Sequence, residues 1–503
     1  MDGLYLPLFA FVLFHCSLYL FDTIFKSCLF LPYLHLLKNT GLQIQPFRLI
    51  WFTTAFNRLI QKWGSVRPRL LTAWFTVGTW TAMALLPYAV WLLLHSVFHM
   101  MKQAIRDDSM PSSDSVILQP VVPGVNLPVT DLGYYMITLL FSTIIHELGH
   151  AIAAVREDAH IAGAGTMLVF AVPVAYVCIE QLESLPPIKQ LRILCAGIWH
   201  NIVLILAAWL ALFLLPWVVY PLYDYGTGVQ VQYLDKGSPV TGPSELLLGD
   251  RIIQLNRCKV SNVDDWLNCL VKSFREPSPG FCISAEFIKE HDESIPAKHM
   301  SSGAVECCAS NNPRHLCFEY LESESEPLEL PQHSCLNVRT VVEAAQQLCH
   351  KPASAALGEG GANSECGFNY HCFRPSLENN TKLVLLKREN GREVLFLGHP
   401  SDIYNTVHVT DFISLYTIFP SIFPEMFAQL CRFLIMFSAG FAVINVIPCF
   451  AFDGQNITRA LMDLLLSKTV SHSSVRHAIA LCITMAGTFL VGLYLALAVW
   501  IML

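Results

Sequence analysis

The sequence predicts a polytopic α-helical membrane protein of about six spans, with a polar, β-rich domain inserted between the fourth and fifth. Three observations carry that prediction. Of 503 residues, 53% are hydrophobic and only 14% charged, against roughly 25% charged in a soluble chain. Six apolar windows, roughly 4–24, 73–100, 132–155, 190–219, 429–450 and 476–502, are each of the order of the 20 residues that cross a bilayer. Between about Tyr223 and Val409 the composition turns soluble, with turn residues, charges and alternating apolar positions. The net charge of -7, from 32 basic and 39 acidic side chains, supplies no basic face for phosphates, so nucleic acid is not an expected partner.

The N-terminal membrane region is placed at 1–131. Its first window lacks the small-residue cleavage pattern of a signal peptide and ends in Asp22 and Lys26, which reads as a retained span. Between Ile24 and Thr72 stand Lys26, Lys38, Arg48, Arg58, Lys62, Arg67 and Arg69 and no acidic residue, which puts this loop in the cytosol. Within it, Gln43 to Lys62 is amphipathic and suits an interfacial or re-entrant segment. The span at 73–100 then leads to a short non-cytosolic loop holding Asp107, Asp108 and Asp114.

The first half of a membrane core is placed at 132–222. The span at 132–155 returns toward the cytosol, and at its end stands His146-Glu147-Leu148-Gly149-His150. Residues four apart share a helix face, so both imidazoles can grip one ion, with Glu147 beside them to take a proton from water. Three ionisable groups within one turn of a spanning helix are costly and read as functional. A catalytic zinc site has three protein ligands and an open position. The metzincin third ligand fails, because Ala153 and Arg156 stand where Gly and His are required. A glutamate about 20 residues downstream fails too, since that region is the apolar run around Phe170. This run, Gly163 to Val177, is too short to span and is interrupted by Pro173, so it reads as re-entrant, packed on protein or lining a cavity. The next span carries Ala196-Gly197 and, four residues after the glycine, Asn201.

The polar domain is placed at 223–409. It holds ten of the 17 cysteines: Cys258, Cys269, Cys282, Cys307, Cys308, Cys317, Cys335, Cys349, Cys366 and Cys372. An even set in one polar segment suits disulfides in an oxidising lumen; a zinc site at Cys307, Cys308 and Cys317 would lack the paired C-x2-C spacing. Asn379-Asn380-Thr381 is a glycosylation sequon. A turn near Gly237, a strand from Leu247 to Asn256, a helix around Val263 to Lys272 and a hairpin from Leu383 to Leu397 turning at Asn390-Gly391 resemble a PDZ-like domain. It would be split by a Cys-, Ser- and acid-rich insertion at about 276–378, expected to be mostly loop. A generic β-rich lumenal domain is the alternative.

The second half of the membrane core is placed at 410–503. In Asn445-Val-Ile-Pro-Cys-Phe-Ala-Phe-Asp-Gly454, Asp453 is the only carboxylate between Glu425 and Asp463. It closes a span that ends, by the same topology, on the cytosolic side, level with His150. Pro448 and Gly454 break the helix there. Glu157, Asp158, Glu180 and Glu183 are competing third ligands, in a polar loop.

His146 to His150 on one membrane helix, Asn445-x-x-Pro448 leading to Asp453-Gly454 on a later one, and the PDZ-like insert between them resemble the site-2 protease family of intramembrane zinc metalloproteases. Phe452 departs from the leucine common in that family before Asp-Gly, an apolar exchange. The resemblance implies one zinc ion per chain on His146, His150 and Asp453, with Glu147 as the base. It implies Asn445 near the substrate or oxyanion, and Asn201 orienting a ligand or holding a substrate strand. The implied substrates are single-span, membrane-anchored transcription factors, such as sterol regulatory element-binding proteins, already trimmed on the lumenal side, from which a cytosolic fragment is released. A Golgi or endoplasmic-reticulum membrane, and roles in cholesterol metabolism and the unfolded protein response, follow from the same resemblance. Two other classes compete. A metal transporter would show repeated ligands or internal repeats, and neither is present; a catalytically inert membrane chaperone would not need both the base and three ligands.

Overall fold

The computed structural model describes residues 2–106, 129–170, 172–235, 238, 240, 246–300, 303–309, 314–321, 330–349, 366, 367, 369–378, 380–416 and 418–502. Asp107, Asp108, Asp114, Gly237 and the sequon residue Asn379 lie outside them. Two compact units form, one from Met1–Leu214 with Phe427–Leu503 and one from Leu215–Met426.

Apolar runs in hydrocarbon must satisfy their own backbone, and helices do so. The membrane unit contains α1 (Asp2–Ser27), α2 (Leu31–Thr40), α3 (Asn57–Ser65), α4 (Pro68–Arg106), α5 (Leu132–Arg156), α6 (Pro187–Val219), α7 (Ile422–Val446), α8 (Asp453–Leu466) and α9 (Ser473–Met502). Among the described residues six of these, α1, α4, α5, α6, α7 and α9, are long and apolar enough to cross a membrane. Trp80, Trp217, Phe489 and Trp500 on these helices are each more than 70% exposed. Aromatics so bare would be a liability in water; on spanning helices they suit lipid. One core of the unit joins Ala89 and Leu93 of α4, Leu194 and Ile198 of α6, Val446 of α7, Ile457 of α8 and Tyr494 of α9.

The apolar run from Gly163 to Val177 falls on two paired strands. It is a hairpin of β3 (Ile161–Val169) and β4 (Val172–Ile179), joined by β1 (Leu42–Gln45) and β2 (Arg48–Thr53) from the N-terminal loop in one antiparallel sheet, in the order β1-β2-β3-β4. Thus the amphipathic stretch at 43–62 becomes two strands and α3. The physical reason is backbone pairing: β2 covers β3 from Arg48 against Val169 to Thr53 against Ala164, leaving fewer peptide groups without partners. Gly165 permits the contact, since a Cβ there would lie 2.0 Å from the Trp51 carbonyl oxygen. The two hairpin turns stack Phe47 on Phe170 at 5.0 Å, and His15 of α1 donates from Nε2 to the Phe170 carbonyl at 2.6 Å.

Among the described residues the polar unit has two larger sheets and two two-stranded ones. In the first the order is Val394–Gly398, Lys382–Arg388, Arg251–Leu255, Val229–Leu234 and Val407–Thr410, with Cys258–Lys259 also paired to Arg251–Leu255. The helix Val263–Arg275, started by an Asn262 side-chain cap, buries Trp266 and Leu270 against Ile252, Leu255, Val384 and Phe396. The second sheet orders His333–Asn337, His315–Tyr320, Tyr370–Pro375, Gly280–Ser284 and Leu348–Cys349. It lies within the insertion expected to be mostly loop. Its strands bury Phe281, Ile283, Phe318, Leu336 and Phe373, while the buried cysteines between them mask an apolar pattern behind a polar composition. All ten cysteines of the unit are paired, Cys258–Cys269, Cys282–Cys366, Cys307–Cys317, Cys308–Cys335 and Cys349–Cys372.

Cys282–Cys366 joins residues 84 apart and Cys258–Cys269 residues 11 apart. Loop-closure entropy then assigns about 4–5 kcal/mol to the first and about 3 kcal/mol to the second. Replacing Cys282 and Cys366 together by Ala is expected to lower hydrogen-exchange protection of the Gly280–Ser284 strand in the full chain more than the Cys258/Cys269 pair replacement lowers that of Arg251–Leu255. Equal losses would contradict this ordering.

Candidate metal centre

Three helices deliver the polar atoms of the site. The C-terminal half of α5 is made of small residues where it crosses α6: a Cβ at Gly149 would lie 2.6 Å from the Ala196 carbonyl oxygen, so only glycine allows this approach. The crossing brings His146 and His150, both about 95% buried, beside Gly197. A Cβ on Gly197 would stand 2.4 Å from His150 Nε2 and 2.6 Å from His146 Nε2, so the missing side chain leaves room where the ring nitrogens meet.

The third group arrives from α8. After α7 ends at Val446 the chain turns through Ile447–Phe452, with Ala451 in the left-handed region at φ 69°. Gly454 is required because a Cβ there would lie 1.9 Å from the Ile447 carbonyl oxygen. On α9, Gly487 lets Pro448 press in, its absent Cβ lying 1.9 Å from the Pro448 carbonyl oxygen. Asp453 is thereby the first residue of α8, and the positive end of a helix favours a carboxylate.

His146 Nε2 and His150 Nε2 are 3.0 Å apart, and Asp453 Oδ2 lies 2.9 Å from the first and 3.1 Å from the second. The His150 Nδ1–H donates to the Ile193 carbonyl at 2.8 Å, so a neutral His150 presents a lone pair at Nε2. The Asn201 amide, fully buried, meets His146 Nδ1 at 3.1 Å. Among the described residues its Oδ1 has no partner; turning the amide over makes that oxygen the acceptor for an Nδ1–H and frees the Nε2 lone pair of His146 as well. Two lone pairs and a carboxylate oxygen so close repel one another unless a proton or cation lies between them. Two imidazoles and one carboxylate are a ligand set of catalytic zinc. Tetrahedral donors at about 2.0–2.1 Å from an ion stand roughly 3.3 Å apart, within a few tenths of the separations here, so the residues fit the metal.

Glu147 does not join this trio. Its Oε2 accepts the Val177 N–H of β4 at 3.0 Å, which holds the carboxylate one residue around the helix from His146. The competing carboxylates are engaged elsewhere: Glu157 with Arg192 at 2.9 Å, Asp158 with Lys189 at 3.5 Å, Glu180 with His160 at 3.2 Å and Glu183 with Arg459 at 2.7 Å. Asn445 is half-buried near the end of α7, and among the described residues no hydrogen bond joins it to the trio. Sequence reasoning missed the Ile193 carbonyl, a backbone atom without a residue signature. It also missed Thr143, 5% exposed, which accepts the Ala175 N–H of β4 at 3.2 Å; its place four residues before Glu147 was the available signal.

Residues 134–491, well over half of the chain, match the sequence profile of "Peptidase family M50". The chain is also 31% identical over 218 residues to a protein of Arabidopsis thaliana named membrane-bound transcription factor site-2 protease homolog. That similarity covers 42% of this chain and 40% of the relative, so it spans well under half of the relative's length.

The trio leads to the expectation of one zinc ion per purified chain, lost in His150→Ala and Asp453→Ala, as read by elemental analysis. Asn201→Val is expected to bind zinc about 10–100-fold more weakly, the usual effect of removing a partner behind a metal ligand. Unchanged affinity in that variant would contradict its place behind His146.

Proposed function

The chain belongs to peptidase family M50, and on that footing we propose that it is an intramembrane zinc metalloprotease that cuts a peptide bond within the membrane segment of single-span substrates. The observation that carries the reading is the convergence of His146 Nε2, His150 Nε2 and Asp453 Oδ2 within 3.1 Å, with Glu147 adjacent. Zinc bound there supplies a polarised water and a Lewis acid for the scissile carbonyl. Glu147 takes a proton from the attacking water on its carboxylate and passes it to the leaving amine nitrogen. Ile193 and Asn201 hold the two imidazoles in the ligating tautomer. Asn445 serves near the substrate or the developing oxyanion, a role taken from the family resemblance.

A helical substrate hides its carbonyls, so it must be extended before hydrolysis. β4 is the outer strand of the membrane sheet, and an extended substrate adds to it as a further strand. The substrate class is membrane-anchored transcription factors, among them sterol regulatory element-binding proteins, after an earlier cut on the lumenal side. The words membrane-bound transcription factor in the name of the Arabidopsis relative support the first part of that reading. The basic loop between Ile24 and Thr72 supports a site toward the cytosol, and hence release of a cytosolic fragment. The five disulfides and the Asn379 sequon support a lumenal, glycosylated polar domain in a Golgi or endoplasmic-reticulum membrane. The polar domain acts as a PDZ-like filter or docking platform for trimmed substrates.

In cells lacking the endogenous activity and given a pre-trimmed single-span substrate, wild type is expected to release a cytosolic fragment. Glu147→Gln is expected to cut at least about 100-fold more slowly, the scale of a lost general base, while keeping its zinc. Equal release by Glu147→Gln and wild type would refute the mechanism.

A further inference from the structure

Strand β4 has β3 along one edge and α5 along the other. Its register with β3 is continuous from Val172 against Val169 to Cys178 against Gly163, and side-by-side residues of a strand alternate in the direction of their peptide groups. The outward set is Pro173, Ala175 and Val177. Ala175 gives its N–H to Thr143 Oγ1 at 3.2 Å, and Val177 gives its N–H to Glu147 Oε2 at 3.0 Å. Pro173 has no N–H to give.

The two elements match in pitch. Four residues of helix rise about 6 Å and two residues of strand about 6.6 Å, so Thr143 and Glu147 stand against Ala175 and Val177 in step. One turn back along α5 stands Leu139, whose side chain cannot accept, and two residues back along β4 stands Pro173, which cannot donate. The Thr143 hydroxyl gives its own proton to the Leu140 carbonyl at 2.9 Å, leaving its lone pairs for Ala175. Every outward donor of β4 from Pro173 to Val177 is therefore absent or held by α5, whereas the carbonyls of the same residues point the same way.

We infer that Thr143 is a positioning residue, which together with Glu147 holds the outward edge of β4 in the register that an added substrate strand takes over. This rests on the reading of β4 and Glu147 given under Proposed function. Substrate carbonyls replace the Thr143 hydroxyl at Ala175 and the Glu147 carboxylate at Val177. The second exchange releases the base toward water only when a strand is in place.

The test uses the full-length protein in membranes, with Cys16, Cys28 and Cys482 replaced by Ser so that Cys178, exposed on β4, reports on the strand by its rate of maleimide labelling. Thr143→Val keeps the volume and removes the acceptor; Thr143→Ser keeps the hydroxyl. Thr143→Val is expected to label about fivefold faster and to cleave the trimmed substrate about fivefold more slowly, the factor set by one net hydrogen bond, with zinc content unchanged. Thr143→Ser is expected to match wild type in both. Wild-type labelling and cleavage in Thr143→Val, or a Thr143→Ser as defective as Thr143→Val, overturns the inference. If wild type itself releases no fragment, the protease reading fails, while the labelling comparison still decides whether Thr143 holds β4.

Discussion

Two imidazole nitrogens and a carboxylate oxygen meeting in an apolar interior need a proton or a cation between them, and the packing of the membrane unit serves that need. His146 Nε2, His150 Nε2 and Asp453 Oδ2 lie within 3.1 Å of one another. Repulsion among them at this depth would spread the helices apart. What opposes it is close helix packing, made possible by side chains that are absent. Gly149 and Gly197 let α5 and α6 meet, Gly454 lets α8 start against Ile447, and Gly487 lets α9 close on Pro448. A methyl group at any of these positions would displace backbone or fill the space where the ligating atoms converge.

A second ring of contacts fixes orientation rather than charge. The Ile193 carbonyl sets the His150 tautomer and the Asn201 amide faces His146 Nδ1. On the neighbouring stripe of α5, about 60° around the helix from the two histidines, Thr143 and Glu147 accept from β4. One helix thus presents the histidine stripe of the candidate metal centre and, beside it, a stripe that holds a strand. Such a layout couples the position of a strand to the position of the Glu147 carboxylate through a single turn of helix.

Much of this was legible in the sequence, for reasons that differ by element. The spans are written in composition, because hydrocarbon tolerates little else. His146, Glu147 and His150 are written in helical spacing, and Asp453 in its isolation as a carboxylate within an apolar stretch. Less visible was the sheet that joins Leu42–Thr53 to Ile161–Ile179. Its central pairing connects residues more than 100 positions apart, and neither β2 nor β3 shows strict alternation. The insertion was misread as loop because Cys282, Cys335 and Cys372 act as core residues inside strands, where composition alone suggests surface.

The most direct test of the metal centre is X-ray absorption at the zinc edge of the purified full-length protein. Two imidazoles and one carboxylate, with all near neighbours nitrogen or oxygen at about 2.0–2.1 Å, is the expected ligand shell. Sulfur at about 2.3 Å would instead place the ion on cysteines such as the buried Cys195 or Cys449 and contradict a site built from His146, His150 and Asp453.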